Sequence, residues 1–246
     1  MGPGALRLSA LPADRLQAAL AQVGAFAAQR VRPGMRLGLG TGRTASAFLD
    51  ALEPMVHEGL RVAAVCTSEA TERRARAMGI EILRGTGAGL DLDVDGADEV
   101  APGLDLIKGA GGAMVREKMV AERSRRFWVV ADSSKLVGHL GERGDLPIEV
   151  LPFDWEATRR LIEGGAGAAA ALRGGDQPFV SDNGNLVLDL EVSRSPWSPR
   201  ELAGRLEGIP GVVGHGFFLG TATAALISDG AAITILGDPD RERRSG

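Results

Sequence analysis

One acid-rich stretch, residues 90–118, reads LDLDVDGADEVAPGLDLIKGAGGAMVREK, and three of its acids and one of its lysines are placed to do chemistry. Asp95 and Asp98 fall in a tight turn where Gly96 permits backbone angles closed to other residues. Lys108 enters a glycine-rich loop, Gly109-Ala110-Gly111-Gly112. Glu117 then lies about one and a half turns into a helix-forming run, AMVREKMVAERS. Two carboxylates, an amine and a third carboxylate on a helix make a kit for moving protons on a polar, anionic small molecule.

A second candidate lies upstream. Met35–Leu39 reads as a strand that leads into Gly38-Leu39-Gly40-Thr41-Gly42-Arg43-Thr44-Ala45, followed by a helix through about Leu52. Backbone N–H groups at such a helix start favour a phosphate. The dinucleotide fingerprint is excluded because Arg43 stands where its third glycine is required. The NTPase loop is excluded by Leu37 and Arg43. What is left is a turn with two hydroxyls, Thr41 and Thr44, and one guanidinium. Taken alone it serves equally well as a phosphate cradle or as a plain connector.

The elements around these residues alternate. Residues 14–31 form an amphipathic helix with Asp14 as N-cap, ended by Pro33-Gly34. Leu60–Val65 is a strand, Thr67-Ser68 starts a helix closed by Gly79, and Ile80–Leu83 and Leu90–Val94 are strands. The Arg73-Arg74-Arg76 cluster reads as a solvated helix face. Leu104–Ile107 and Phe127–Ala131 are further strands, the second ending in Asp132-Ser133-Ser134-Lys135. Thr41, Asp95, Lys108 and Lys135 each stand just beyond a strand end, where open α/β sheets collect ligands. The order predicts a doubly wound, mostly parallel, Rossmann-like α/β sheet.

Composition then shifts. Leu146–Leu151 is a strand whose Pro147 suggests an edge. Trp155–Ile162 and Pro199–Leu206 are helices, Ala168–Arg173 and Val212–Phe218 strands, and Asp182-Asn183-Gly184-Asn185 is a hairpin turn between Phe179–Ser181 and Leu186–Leu190. That order is the one of a small ferredoxin-like α+β domain, placed at 146–218. The Rossmann-like catalytic domain takes 1–145 plus 219–246, with strands at Ala224–Ile227 and Ala231–Leu236 returning to it. The tail DPDRERRSG is polar and is expected to lack fixed structure.

Composition narrows the function. A formal charge of -4 argues against a nucleic-acid partner. No apolar run is long enough to span a membrane, so none is expected as a partner. Cys66, the one cysteine, excludes an intramolecular disulfide and fits a reducing compartment, and the chain is read as cytoplasmic. Asp91, Asp93 and Asp95 begin like a calcium loop, but Pro102 holds the place of its glutamate. A magnesium site from Asp93, Asp95 and Asp98 is a minor option. His57, His139 and His215 lack metal-ligand spacing.

With these residues in hand, the chain resembles the type A ribose-5-phosphate isomerases from about Val31 to Ile235. The marks are GLGTGRTA at 38–45, TSEAT at 67–71, DVDGADEV at 93–100, KGAGGAMVREK at 108–118, ADSSK at 131–135, SDNGNLVLDL at 181–190 and GVVGHGFF at 211–218. The resemblance implies an aldose–ketose isomerase acting on a pentose 5-phosphate through an enediolate, without metal or other cofactor, and a homo-oligomer, dimer or tetramer. It makes Glu117 the base, with Asp95, Asp98 and Lys108 assisting ring opening and steadying the oxyanion. Substrate would be bound by Thr41, Gly42, Arg43, Thr44, Asp95, Gly96, Ala97, Asp98, Lys108, Gly109, Ala110, Gly111 and Lys135. Two departures stand out. Ala110 takes the middle place of a triple-glycine loop, and Arg43 replaces a serine while a lysine of the first helix has no counterpart near Leu20. Arg43 is the expected substitute for that cation. The competing reading is a sugar-phosphate-binding regulatory module without catalysis, which needs no reactive carboxylate.

Overall fold

The computed structural model describes residues 10–85, 87 and 89–243. The chain divides into two compact units. The first comprises residues up to Ala97, Arg116–Leu136 and Gly220 onward; the second comprises Asp98–Val115 and Val137–Leu219. Residues 98–115 and 137–145, read from the sequence as part of the first domain, thus belong to the second unit.

The first unit opens with α1 (Ala13–Ala28). Its N-cap is Pro12, not Asp14, which lies in the first turn, where its charge favours the helix dipole. Then come β1 (Arg36–Leu39), α2 (Arg43–His57), β2 (Ala63–Cys66), α3 (Glu69–Ala77), β3 (Glu81–Ile82) and β4 (Leu92–Asp95). α2 runs past the expected end at Leu52 because Pro54 sits in its last turn, where a missing N–H removes a single helical bond. Ser68 caps α3, accepting from the Thr71 N–H at 3.2 Å. Beyond the last helical turn Gly79 takes a φ of +84°. The arginines of α3 pair with Glu69, Glu72 and Asp50, as a solvated face does.

The chain leaves this unit through β5 (Glu99–Val100) and β6 (Leu106–Ile107) and returns along α4 (Met114–Glu122) to β7 (Phe127–Asp132). The second unit then continues with β8 (Leu146–Val150), α5 (Trp155–Ala166), β9 (Ala170–Leu172), β10 (Leu186–Leu190), α6 (Pro199–Glu207), β11 (Val212–His215) and β12 (Phe217–Phe218). Last come β13 (Ala224–Ser228) and β14 (Ile233–Gly237) of the first unit.

The first unit's sheet has the order β14-β13-β7-β4-β1-β2-β3, parallel except for β14. Leu37 and Leu39 of β1 and Leu92 and Val94 of β4 enter one apolar cluster with α1 and α2. Alternation therefore sends Gly38, Asp93 and Asp95 to the opposite face. There Val120 of α4 lies against Gly38, so helices cover both faces and the sheet is doubly wound. The tail is anchored as far as it is described: Trp128 donates to the Pro239 carbonyl at 3.0 Å, and Arg243 reaches Ala121 and Glu122. Residues 244–246 lie outside the described residues.

The second unit's four-stranded sheet has the order β11-β8-β10-β9, wholly antiparallel, with α5 and α6. This is the ferredoxin-like arrangement. β8 is an inner strand, against the edge expected from Pro147. The registered pairs of β11 stop at Ile148, so the N–H that Pro147 lacks is not needed by the ladder. The stretch Val212–Phe218, read as one strand, is two. Gly216 donates to the Pro147 carbonyl (2.8 Å) and accepts from the Lys108 N–H (2.9 Å), passing the chain to a separate sheet, β12-β6-β5. The hairpin turn forms at Gly184 (φ +79°), but its first arm shrinks to one bridge, Val180 to Leu186.

Candidate active site

Chain order puts the switch point of the large sheet at β1 and β4: β2 and β3 extend one side of β1, and β4 lies on the other. The crevice beyond the carboxyl ends of such a pair is where α/β sheets bind ligands. The Thr41 turn and Asp95 stand at these two ends. Gly38 in β1 and Gly40 just beyond it leave the room that Asp93 and Asp95 of β4 occupy. A Cβ on Gly38 would fall 2.5 Å from Asp93 Oδ1, and one on Gly40 would fall 2.0 Å from Asp95 Oδ1. Both aspartates are buried.

The turn is bound to Asp95 through backbone. Asp95 Oδ1 accepts the N–H groups of Thr41 (3.0 Å) and Gly96 (2.7 Å). The Thr41 hydroxyl is 2.7 Å from that of Thr67, which itself donates to the Leu39 carbonyl at 3.2 Å. Thr41 is therefore the donor to Thr67. Thr71 donates to the Gly40 carbonyl (2.9 Å), and Ser68 to Thr71 (3.0 Å). The TSEAT segment thus holds the turn from the neighbouring strand end, and Thr41 keeps only acceptor capacity for a ligand. Gly42, at φ +97°, starts α2 without any side-chain cap. The first-turn amides of a helix have no partner inside it. Beside them Arg43 is exposed and Thr44 half-buried, and Thr44 lies 3.7 Å from the position of a Cβ on Gly96.

Glu117 is buried and sits three residues before Val120, hence on the face of α4 that covers the sheet. Met119, on the other side, is exposed. Lys135 closes a 3-10 turn, Ser133–Lys135, right after β7, next to β4; Asp132 starts it by accepting from the Ser134 N–H at 2.9 Å. The first unit therefore collects Thr41–Thr44, Asp95–Ala97 and Lys135 at the ends of three adjacent strands, with Glu117 on the helix above.

Asp98, Lys108 and residues 109–111 belong to the second unit. Lys108 does follow a strand end, but that strand, β6, lies in the small antiparallel sheet and not in the parallel one. Its side chain is buried, with Nζ 5.5 Å from the centre of the Phe218 ring. Asp98 Oδ2 accepts the Ala110 N–H at 2.8 Å. Gly109 and Gly112 have positive φ, +112° and +75°, whereas Ala110 does not, and its methyl group is exposed. Alanine is tolerated at 110 for that reason.

Among the described residues, no three His, Cys, Asp or Glu side chains stand close enough to share an ion. Nor is any helix among them long and apolar enough to cross a membrane. Three functional candidates escaped the sequence reading. Thr67 and Thr71 look like ordinary helix-start residues, and Arg173 looks like the polar end of a strand; the partners of all three are distant in sequence.

A family model for ribose 5-phosphate isomerase A (phosphoriboisomerase A) matches residues 63–231. Ribose-5-phosphate isomerase A of Bradyrhizobium diazoefficiens is 45% identical over 227 residues, 87% of this chain and 93% of that protein. The solved ribose 5-phosphate isomerase A of Methanocaldococcus jannaschii superposes with a TM-score of 0.84 at 32% identity, covering 90% of this chain and 99% of its own. Another solved relative, D-ribose-5-phosphate isomerase in complex with phospho-erythronic acid, has a TM-score of 0.84 at 31% identity and covers 91% and 99%. Matching sequence, fold and order of motifs over nearly the whole length place the chain in the ribose 5-phosphate isomerase A family.

Proposed function

We propose that the protein interconverts D-ribose 5-phosphate and D-ribulose 5-phosphate through an enediolate, the aldose–ketose step of the non-oxidative pentose phosphate pathway. The observation that carries this reading is the buried carboxylate of Glu117 on the sheet-facing side of α4, in the same unit as the Asp95 strand end. Glu117 takes the proton from C2 of the open-chain aldose and returns it to C1. Meanwhile the carbonyl oxygen on C1 gains a proton and the C2 hydroxyl loses one. Negative charge gathers on the oxygens in between, and Lys108 supplies the positive charge there, with the amides of Gly109 and Gly111 as donors, the Ala110 N–H being held by Asp98. Asp95 and Asp98 assist ring opening.

The phosphate is taken by the first-turn amides of α2, with Arg43, Thr44 and Lys135. Gly42, Gly96 and Ala97 offer backbone, and the Thr41 oxygen accepts from a sugar hydroxyl. We further place the enzyme in the cytoplasm, as a homodimer, with no nucleic-acid or membrane partner, on the family resemblance and the charge of -4.

The test is purified protein with ribose 5-phosphate and EDTA, with ketose formation followed directly. Turnover is expected to survive the chelator, and phospho-erythronic acid to compete with substrate. Sugar-phosphate binding without ketose formation would establish the regulatory module instead, a reading that the isomerase relatives do not support.

A further inference from the structure

The glycine-rich loop is gripped by a residue that the site assignments omit. Arg173 follows β9, and its guanidinium pairs with Asp189 of β10 through Nε (2.9 Å) and Nη2. Its Nη1 donates to two successive loop carbonyls, Gly109 at 2.9 Å and Ala110 at 3.1 Å. A planar fork with five donors can serve a carboxylate and two carbonyls at once, which an ammonium cannot. The side chain is only 18% exposed. Phe179, whose N–H bonds the Arg173 carbonyl at 2.9 Å, fills the space over Gly112, where a Cβ would fall 2.3 Å from its ring.

A trans peptide points its C=O and its N–H in opposite directions. The 109–110 peptide is therefore held at both ends, its oxygen by Arg173 and its N–H by Asp98 Oδ2 at 2.8 Å. The next peptide also gives its oxygen to Arg173, so the Gly111 N–H is turned away from the guanidinium, to the same side as the Ala110 N–H. Gly111 is exposed, and no described residue accepts its N–H. Successive N–H groups facing one way make an anion-binding concavity.

We propose that Arg173 is a positioning residue of the isomerase reaction: by holding the Gly109 and Ala110 carbonyls it aims the Gly111 N–H at the enediolate oxygen that Lys108 also serves. This rests on the reading that the loop faces the sugar. The test compares Arg173→Ala and Arg173→Lys with wild type, reading kcat, KM and amide hydrogen exchange across residues 109–112. Arg173→Ala is expected to lower kcat by roughly 10–100-fold, with KM changed by less than about threefold, the pattern of a lost transition-state donor. Loop amides are expected to exchange faster in it, and added guanidinium ion to restore part of kcat. Arg173→Lys, which can hold one carbonyl but not the fork, is expected in between, and it carries the comparison if the alanine variant does not melt cooperatively.

A kcat within about twofold of wild type in both variants would overturn the proposal. So would loss of kcat with unchanged loop exchange, since the loop would then be held by something else. Full turnover in Glu117→Gln would instead overturn the assignment of the base, with no bearing on what holds the loop.

Discussion

Gly40 and Asp95 occupy one another's space: a methyl group added at 40 would lie 2.0 Å from Asp95 Oδ1 and 2.5 Å from its Cβ. The clash is with a carboxylate bound to two backbone N–H groups, not with the end of a flexible chain. Gly40→Ala therefore displaces Asp95 and frees the Thr41 turn in a single change. A shift of about 1 Å at a reacting group costs on the order of 100-fold in rate. Gly40→Ala is expected to lose about that much kcat/KM, measured with ribose 5-phosphate, while melting remains cooperative.

Glu117→Gln keeps the shape and removes the base. A general base contributes about 100- to 10,000-fold. Loss of kcat in that range, with phospho-erythronic acid binding nearly unchanged by calorimetry, is the expected result. Exchange of the C2 hydrogen with solvent, followed by NMR, should fall in parallel.

Arg43 is exposed at the start of α2, so its attraction to a phosphate is screened. An exposed pair contributes about 0.2–1 kcal/mol. Arg43→Ser is expected to raise KM by a few-fold, more at low salt than at high salt, with kcat unchanged. A KM that ignores both the change and the salt would remove Arg43 from the site.

The hydroxyls of Thr41 and Thr67 form one link of a chain, and their effects should not add. Thr41→Val and Thr67→Val each break the same bond, whose net contribution is about 0.5–1.5 kcal/mol. Thr67→Val also removes the bond to the Leu39 carbonyl, so the double variant is expected to lose scarcely more stability to urea than Thr67→Val alone. Full additivity would mean that the two hydroxyls are not coupled.

The thiol of Cys66 is pushed up to about 12, mainly by burial, with the Glu72 carboxylate adding to the effect and Arg76 opposing it. The reactive form is the thiolate, so a raised pKa leaves very little of it at neutral pH. Alkylation of the native protein at pH 8 is expected to be slow, and to speed up sharply on unfolding, as mass spectrometry would record.

Local sequence made the large sheet legible because its signals are local. Leu37 and Leu39 alternate with glycine, Leu92 and Val94 alternate with aspartate, and Ser68 and Gly79 bracket α3. Among the predicted site residues of the first unit, Thr41 and Asp95–Ala97 lie at or within two positions of a strand end, where a strand reading points directly, whereas Lys135 lies three positions beyond β7 and Glu117 on a helix. The failures share a different cause. Pro147 looks like an edge marker until one knows where β11 stops. Val212–Phe218 is continuous in hydropathy, and only the approach of the Lys108 carbonyl, 2.2 Å from a Cβ on Gly216, makes the chain change sheets there. Arg173 is 64 residues from Gly109, so no window of sequence joins them. Contacts between distant segments decide these three, and spacing along the chain does not encode them.

Placement of β13 has a consequence for synthesis. This strand, Ala224–Ser228, lies between β7 and β14, yet it leaves the ribosome only after all of the second unit has been made. Until then β7 presents a row of unmatched amides and carbonyls, the kind of surface on which growing chains stick to one another. A chain stopped near residue 220 would hold nearly every residue discussed above as reactive and still be an aggregation hazard, so the last two strands protect the nascent molecule as well as completing the sheet.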